Sequence, residues 1–182
     1  MSKIAVLVEA DYQDLEVWYP ILRLREAGHT VVSVGTGHPS YKGKWGYPIT
    51  VDASIGDVRP ENYDAVVIPG GWAPDRLRLY PAVLEFVRAL DRAGKVVASI
   101  CHGGSVLCSA GVAKGRRLTA YKAIRDDLVN AGATFEDAEV VRDGNLITSR
   151  TPDDLPAFCR EILAALAAAP DTPDGKARRA AR

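Results

Sequence analysis

Cys101 is the residue of this sequence with the clearest potential for covalent chemistry. It ends the buried-strand pattern Val96-Val-Ala-Ser-Ile100 and is followed by His102-Gly-Gly104 and a short helical pattern. A strand that turns abruptly into a helix presents one side chain above the sheet edge, and small neighbours such as Ser99 and Gly103 permit the tight turn. The pattern predicts a nucleophile elbow with Cys101 at its apex.

Three neighbouring features could support a cysteine nucleophile. His102 is the nearest candidate base, and a helix N-terminus beside the sulfur lowers a thiol pKa by about one unit. The segment Ile68-Pro-Gly-Gly71 ends another apolar strand in a turn whose backbone N–H groups could bind an oxyanion. Local sequence alone leaves two simpler interpretations open, namely that Cys101 is a buried core residue and that Pro-Gly-Gly is only a tight turn.

Alternating strand and helix patterns must position these residues. Short apolar or β-branched runs predict strands at 4–8, 30–34, 64–68 and 95–100, and a possible edge strand at 49–52 in a loop region covering 35–63. Apolar periodicity and glycine stops predict helices from Asp14 to Gly28 and over 81–92, 105–110, 124–131 and 152–169. The Asp143-Gly144 turn predicts a hairpin between 139–142 and 146–148. This alternation predicts an α/β fold with a mainly parallel sheet and helices on both faces.

Size and charge exclude several classes of protein. A chain of 182 residues fits one domain, predicted over 1–169, and the polar composition of 170–182 predicts a mobile tail. The 23 basic and 23 acidic residues give a formal net charge of zero, which favours neither nucleic acid nor membranes as partners. No apolar run reaches the length of a membrane span, and Glu9 and Asp11 come too early for a signal peptide, so we expect a cytoplasmic protein.

The cysteines and histidines outside the elbow predict no cofactor. Cys101, Cys108 and Cys159 are odd in number and widely spaced, so they form neither a disulfide framework nor a paired zinc motif. His29 and His38 have no second ligand at a recognisable spacing, which makes a metal site improbable. We therefore expect neither a metal nor an organic cofactor.

Four segments, in order, resemble the DJ-1/PfpI family. They are Asp14-Leu-Glu-Val-Trp-Tyr-Pro20, Val66-Val-Ile-Pro-Gly-Gly-Trp-Ala-Pro74, Ile100-Cys-His-Gly103 and Asp137-Ala-Glu-Val-Val-Arg-Asp-Gly-Asn-Leu-Ile-Thr-Ser-Arg150. The resemblance spans about residues 3 to 168 and is closest to the PfpI-like branch, described as intracellular proteases, general stress proteins and glyoxalase or deglycase-type enzymes. It implies a flavodoxin-like three-layer sandwich, Cys101 as nucleophile, and Glu16 as the carboxyl group that reaches the sulfur.

The same resemblance assigns roles to residues around the sulfur. A carboxylate beside a thiolate would repel it, so we expect Glu16 to keep a proton and donate a hydrogen bond to the ionised sulfur, which lets Glu16 act as acid or base. In relatives the histidine pairs with an acid of a neighbouring subunit, which implies a homodimer or homohexamer. Asp75 occupies that position where glutamate is usual and is shorter by one bond of about 1.5 Å, which puts a Cys101–His102–Asp75 triad in doubt.

The remaining pocket residues are expected at the mouth of the site. Trp72 follows the Gly70-Gly71 turn where a smaller or basic residue is common, and Gly104 stands where proline is frequent. Tyr121 matches a position near the site and could donate its hydroxyl group to substrate, although a packed aromatic ring is the simpler role. Together with Gly103, these residues complete the predicted oxyanion and pocket set.

Three functions are compatible with this sequence. The favoured one is an enzyme whose Cys101 attacks a small carbonyl, such as methylglyoxal or its adduct with an amine, to form a hemithioacetal that Glu16 helps to rearrange. The second is a peptidase that needs His102 and Asp75 to protonate a leaving amine. The third is an oxidative-stress sensor or chaperone without catalysis, in which Cys101 is oxidised to a sulfinic acid.

Overall fold

The structure is a computed structural model that describes residues 1–168, so the tail predicted at 170–182 lies outside the described residues. Its centre is a seven-stranded sheet in the order β10-β11-β7-β6-β1-β2-β5. The strands are β1 (Lys3–Leu7), β2 (Thr30–Gly35), β5 (Ala53–Ser54), β6 (Ala65–Ile68), β7 (Val96–Ile100), β10 (Val140–Asp143) and β11 (Leu146–Ser149). All neighbours run parallel except β10 and β11, which form the predicted antiparallel hairpin.

Helices cover both faces of this sheet, as the alternating pattern predicts. They are α1 (Asp14–Glu26), α2 (Ala73–Leu77), α3 (Pro81–Arg92), α4 (Gly104–Ala110), α5 (Arg125–Asn130) and α6 (Leu155–Ala168). One group pairs α1 with α6, and another packs α3 and α5 against α4. The fold is thus the expected flavodoxin-like α/β sandwich. None of the helices within 1–168 is both long and apolar enough to cross a membrane.

The continuous apolar runs form the centre of the core because parallel strands between two helical layers are covered on both faces. Every residue of β6 and β7 is buried, and β1 is buried from Ile4 onward. The carboxyl ends of these three strands meet at one edge of the sheet. Ligands of open α/β sheets bind at this edge, and the residues that follow β1, β6 and β7 include Glu16, the Gly70-Gly71 turn and Cys101.

The loop region after β2 differs from the prediction in detail. The edge strand expected at 49–52 is shorter, β4 (Pro48–Thr50), and pairs with β3 (Ser40–Lys42) in a separate antiparallel hairpin. Two further short strands, β8 (Arg117–Leu118) and β9 (Thr134–Phe135), form a parallel pair outside the main sheet. These pairings are fixed by contacts distant in the sequence, which local periodicity does not report.

Candidate active site

The backbone at Cys101 has the strained conformation of a nucleophile elbow. Its φ angle is +60°, in the left-handed region that L-residues other than glycine rarely adopt, and it begins a 3₁₀ turn that leads into α4. A Cβ atom on Gly103 would lie 2.5 Å from the Ile68 carbonyl oxygen and 2.8 Å from Ser99 Oγ, so the turn admits no larger residue there. Such strain, about 1–3 kcal/mol, persists where the surrounding structure enforces it. The elbow presents the sulfur at the sheet edge with Cys101 only 8% exposed.

Glu16 lies against Cys101 from the first turn of α1. The Gln13 side chain caps this helix by accepting hydrogen bonds from the Leu15 and Glu16 backbone N–H groups, at 2.7 and 3.2 Å. The Glu16 carboxyl group is fully buried. Its Oε2 accepts a 2.7 Å hydrogen bond from the Gly70 N–H, whereas Oε1 has no hydrogen-bond partner among the described residues. One carboxyl oxygen is therefore fixed and the other is available to the chemistry.

The absence of a side chain at Gly70 lets the two reactive groups converge. A Cβ atom there would lie 2.7 Å from both Cys101 Cβ and Glu16 Oε2, and 2.9 Å from the His102 backbone nitrogen. These distances are shorter than any real carbon contact, so only glycine fits. The Gly70 backbone in the turn after β6 therefore contacts both residues, and its lack of a side chain allows the carboxyl group and the sulfur to lie close together.

Burial raises the pKa of both reactive groups. The pKa of Glu16 is raised to about 7, chiefly by burial, against the opposing effects of the Gly70 N–H, the Cys101 thiol and Lys44. The pKa of Cys101 is raised to about 12 by burial and then by the Glu16 charge, while the N–H groups of His102 and Gly71 act in the opposite direction. Burial raises both values, and two adjacent buried anions would repel each other, so the Cys101–Glu16 pair keeps at least one proton near neutral pH.

His102 lies between two aromatic rings and beside the sulfur. Its Nδ1 is 3.4 Å from Cys101 Sγ, and the ring centroids of Tyr121 and Trp72 are 5.0 and 5.8 Å from that of His102. Burial lowers the pKa of His102, with Asp75 acting against this shift. The imidazole is therefore mostly neutral at physiological pH. Trp72 is 58% exposed, so its ring adjoins His102 on one side and solvent on the other.

Asp75 reaches His102 electrostatically but does not complete a triad within one chain. It lies in α2, and its charge favours the protonated imidazole. No hydrogen bond joins an Asp75 oxygen to His102 in the part of the chain that the structure describes. The expectation that a neighbouring subunit supplies this acid remains a prediction.

The backbone N–H groups of the predicted oxyanion set have different roles. The Gly70 N–H is used by Glu16, so it is not free to bind an oxyanion. The N–H groups of Gly71 and His102 both act on the Cys101 sulfur. Gly71 has a φ of +77°, and a Cβ atom there would lie 2.5 Å from the Asp11 carbonyl oxygen. Gly71 and His102 are therefore the donors best placed to stabilise negative charge formed at the sulfur or on an adjacent oxygen.

A cleft of about 580 Å³ lies apart from these groups. Its lining includes Glu9, His38, Tyr41, Lys42 and Arg76 but none of Cys101, Glu16 or His102. The strained backbone and the convergent carboxyl group identify the Cys101 site, and not this cleft, as the reactive one.

The loop between β3 and β4, whose contact with α1 no sequence pattern predicts, packs beside the site. The Asp14 carboxylate accepts hydrogen bonds from the backbone N–H groups of Trp45 and Tyr47, at 3.0 and 3.1 Å. Lys44 lies in the same loop, and its backbone N–H donates to the Tyr12 carbonyl oxygen at 2.9 Å. The glycines that flank Lys44-Trp45 indicate a turn, but nothing local to them indicates that the turn contacts α1.

We expect Asp14→Ala to lower the free energy of unfolding by about 2 kcal/mol, because two N–H groups lose a charged acceptor. Urea denaturation measures this change. Asp126→Ala is a matched control, since Asp126 is an exposed carboxylate whose partner is its neighbour Arg125. Equal stability of the two variants would contradict the role assigned to Asp14.

Comparisons with known proteins agree with this geometry. Residues 2–165 match the model of the DJ-1/PfpI family. The chain is 47% identical to protein/nucleic acid deglycase 2 of Escherichia coli over 92% of this chain and 99% of that protein. It is 46% identical to deglycase PfpI of Pyrococcus furiosus over 88% and 97% of the two chains. The crystal structure of Drosophila melanogaster DJ-1β superposes with a TM-score of 0.86 at 32% identity, covering 93% and 92% of the two chains. With its cysteine elbow and buried glutamate at the matching segments, the chain belongs to the DJ-1/PfpI family.

Proposed function

We propose that this protein is a cysteine-dependent enzyme that acts on small reactive carbonyls, namely methylglyoxal, glyoxal or their adducts with amines. The observation that carries the proposal is the convergence of Cys101 and the buried Glu16 carboxyl group across Gly70. A thiol beside a carboxylate with a pKa near 7 is suited to attack an aldehyde and to move protons on the product. The deglycase names of the two relatives support the same class of reaction.

The first step is addition of the sulfur to the aldehyde carbon. As the S–C bond forms, the thiol proton moves to the Glu16 carboxylate and the carbonyl oxygen gains the negative charge. The N–H groups of Gly71 and His102 are the donors near that oxygen. Protonation of the oxygen then gives a hemithioacetal.

Proton transfer within the adduct completes the reaction with methylglyoxal. Glu16 removes the proton from C1 to give an enediol, and return of a proton to C2 gives a thioester of lactate. Water then cleaves the C–S bond, which releases lactate and restores the thiol. Oxidation at C1 balances reduction at C2 of the same molecule, so the sequence of steps consumes one water and needs no external oxidant.

The site geometry favours this reaction over peptide hydrolysis. A peptidase needs an imidazolium to protonate the leaving amine, but burial lowers the pKa of His102 and Asp75 does not hydrogen-bond to it within the chain. A second Asp75 from a neighbouring subunit of the expected homodimer or homohexamer would have to supply that acid. Carbonyl addition uses Glu16 instead, which is in place within a single chain.

Selective alkylation tests the proposed nucleophile. We expect iodoacetamide to modify Cys101 before Cys108 and Cys159, because Glu16 beside Cys101 accepts the thiol proton as the C–S bond forms. Lactate formation from methylglyoxal should fall in proportion to that modification. Peptide mass mapping gives the modified site, and an enzymatic lactate assay gives the activity. Full activity after complete modification of Cys101, or no lactate from the untreated protein, would contradict the proposed function.

A further inference from the structure

Lys44 lies next to the reactive site through a short chain of backbone contacts. Its N–H donates to the Tyr12 carbonyl oxygen at 2.9 Å, and Tyr12 forms isolated β-bridges with both Gly43 and Gly71. The N–H of Gly71 in turn acts on the Cys101 sulfur. The backbone of the Lys44 loop therefore adjoins Tyr12, which in turn pairs with Gly71 in the turn that borders the Cys101 site.

This loop is held in place on the side of the site. The Asp14 carboxylate accepts hydrogen bonds from the N–H groups of the two aromatic residues Trp45 and Tyr47. The Gly46 N–H donates to the Gly43 carbonyl oxygen at 2.8 Å, which closes the turn around Lys44. Because α1 also carries Glu16, the same helix fixes the position of the carboxyl group and that of the lysine loop.

The Lys44 ammonium group is exposed and has no carboxylate partner among residues 1–168. Its Nζ lies 5.4 Å from the centroid of the Trp45 ring. Lys95, by comparison, forms a 3.1 Å ion pair with Asp64. The positive charge of Lys44 nevertheless reaches the site, where it lowers the pKa of both Glu16 and His102.

The site would otherwise repel an anionic substrate. Two of its groups, Glu16 and Asp75, carry negative charge when ionised, and Glu16 adjoins the sulfur. A cation close enough to act on Glu16 and His102 offsets this repulsion and attracts a negative group on an incoming molecule. An unpaired ammonium group is able to do so because it loses no existing ion pair on binding.

We propose that Lys44 is the specificity-determining residue of the Cys101 site and that its ammonium group binds an anionic group, a phosphate or a carboxylate, on the molecule that carries the carbonyl. This inference rests on the proposed function for the identity of the electrophile. Anion binding by Lys44 can be tested separately, because the rate at which charged reagents alkylate the Cys101 sulfur does not depend on catalytic turnover.

The first experiment compares two alkylating reagents that differ in charge. Iodoacetate and iodoacetamide both place a carbon on the Cys101 sulfur with loss of iodide, but only iodoacetate carries a carboxylate. We expect the ratio of their rates at Cys101, iodoacetate over iodoacetamide, to fall at least about five-fold in Lys44→Gln, which corresponds to about 1 kcal/mol. Lys44→Arg retains the positive charge and is expected to keep the ratio within about two-fold of wild type.

Lys42→Gln is the matched control for loss of a lysine charge. Lys42 is exposed and close in sequence but lines the separate cleft. Its substitution should leave the ratio unchanged, and high salt should weaken the wild-type preference. The proposal is overturned if Lys44→Gln leaves the ratio unchanged or if Lys42→Gln lowers it equally.

The second experiment identifies the source of the anion. Methylglyoxal adducts of guanosine 5′-monophosphate and guanosine differ by a phosphate, and those of N-acetylarginine and N-acetylargininamide differ by a carboxylate. If kcat/KM is higher for the anionic member of one pair and Lys44→Gln removes that difference, the anion of that pair is the group that Lys44 binds on the substrate. If this holds for both pairs, Lys44 accepts either a phosphate or a carboxylate. Turnover without preference in both pairs overturns the substrate assignment. No turnover of any adduct overturns the substrate assignment and limits the proposed function to free aldehydes, whereas a Lys44-dependent alkylation ratio in that case still supports anion binding by Lys44. Absence of lactate formation from methylglyoxal contradicts the proposed function and leaves the alkylation ratio as an independent test of Lys44.

Discussion

Cys101→Ala is expected to lower kcat/KM for lactate formation from methylglyoxal by at least about 10³-fold, because the reaction begins with a bond to the sulfur. Glu16 alone has no nucleophile to activate in this variant. The remaining donors at Gly71 and His102 can polarise the carbonyl but cannot hold the hemithioacetal. Initial rates of lactate production, with the uncatalysed rate subtracted, measure the change.

The same variant is expected to keep its fold. Alanine must adopt the same left-handed φ as cysteine, so the strain at the elbow is unchanged and stability should stay within about 1 kcal/mol of wild type. Cys108→Ala is the matched control, because Cys108 is partly buried in α4 and does not contact Glu16. Activity that survives in Cys101→Ala, or is lost equally in Cys108→Ala, would show that the reaction does not use the elbow.

Glu16→Gln is expected to lower kcat by about 10²–10⁴-fold, the usual contribution of a general base. In the wild-type protein the rate should rise with pH and level off above the Glu16 pKa of about 7, because only the carboxylate accepts the thiol proton. Below that value the rate should fall about ten-fold per pH unit. Glutamine does not titrate, so the residual activity should lack this rise. A pH–rate profile from pH 5 to 9 measures both effects.

The Glu16→Gln substitution should increase the stability of the fold at high pH although it lowers the activity. A raised pKa means that the folded protein penalises the Glu16 carboxylate, so this group destabilises the fold as pH rises from the unfolded value of 4.5 through about 7. A neutral amide has no such penalty. Glu16→Gln should therefore resist urea better than wild type at pH 8 and lose that advantage at pH 4.5. An unchanged pH–rate profile in Glu16→Gln would assign the base to another group.

Most of the fold is predictable from local patterns, because its central strands are continuous apolar runs and its helices end at glycines. The ends of β1, β6 and β7 follow from these runs, and they place Cys101 and the Gly70-Gly71 turn at one sheet edge. The five-residue helix α2 was missed because it is shorter than the periodicity needed to detect a helix. The sequence predicts only a possible edge strand at 49–52, because no local pattern shows that β4 pairs with β3 or that the loop between them contacts Asp14.

The location of the site can be predicted from the sequence more fully than the protonation states and roles of its groups. An elbow is predictable from small residues around Cys101, but the proton distribution between Cys101 and Glu16 depends on burial, which no spacing reports. The Gly70 N–H was expected as an oxyanion donor, and only its contact with Glu16 removes it from that role. Lys44 lies in the β3–β4 loop, outside every sequence motif, and only the folded chain brings this loop close to the site.

The left-handed backbone conformation at Cys101 lowers the stability of the fold at the residue that provides the reactive sulfur. Glycine would adopt the same φ without a Cβ penalty, which amounts to about 1–2 kcal/mol for an L-residue. A library of variants screened for heat tolerance alone would therefore enrich glycine at this position and discard the nucleophile while the sandwich stayed intact. Cysteine should be recovered there only when the screen also selects for an activity that depends on the sulfur.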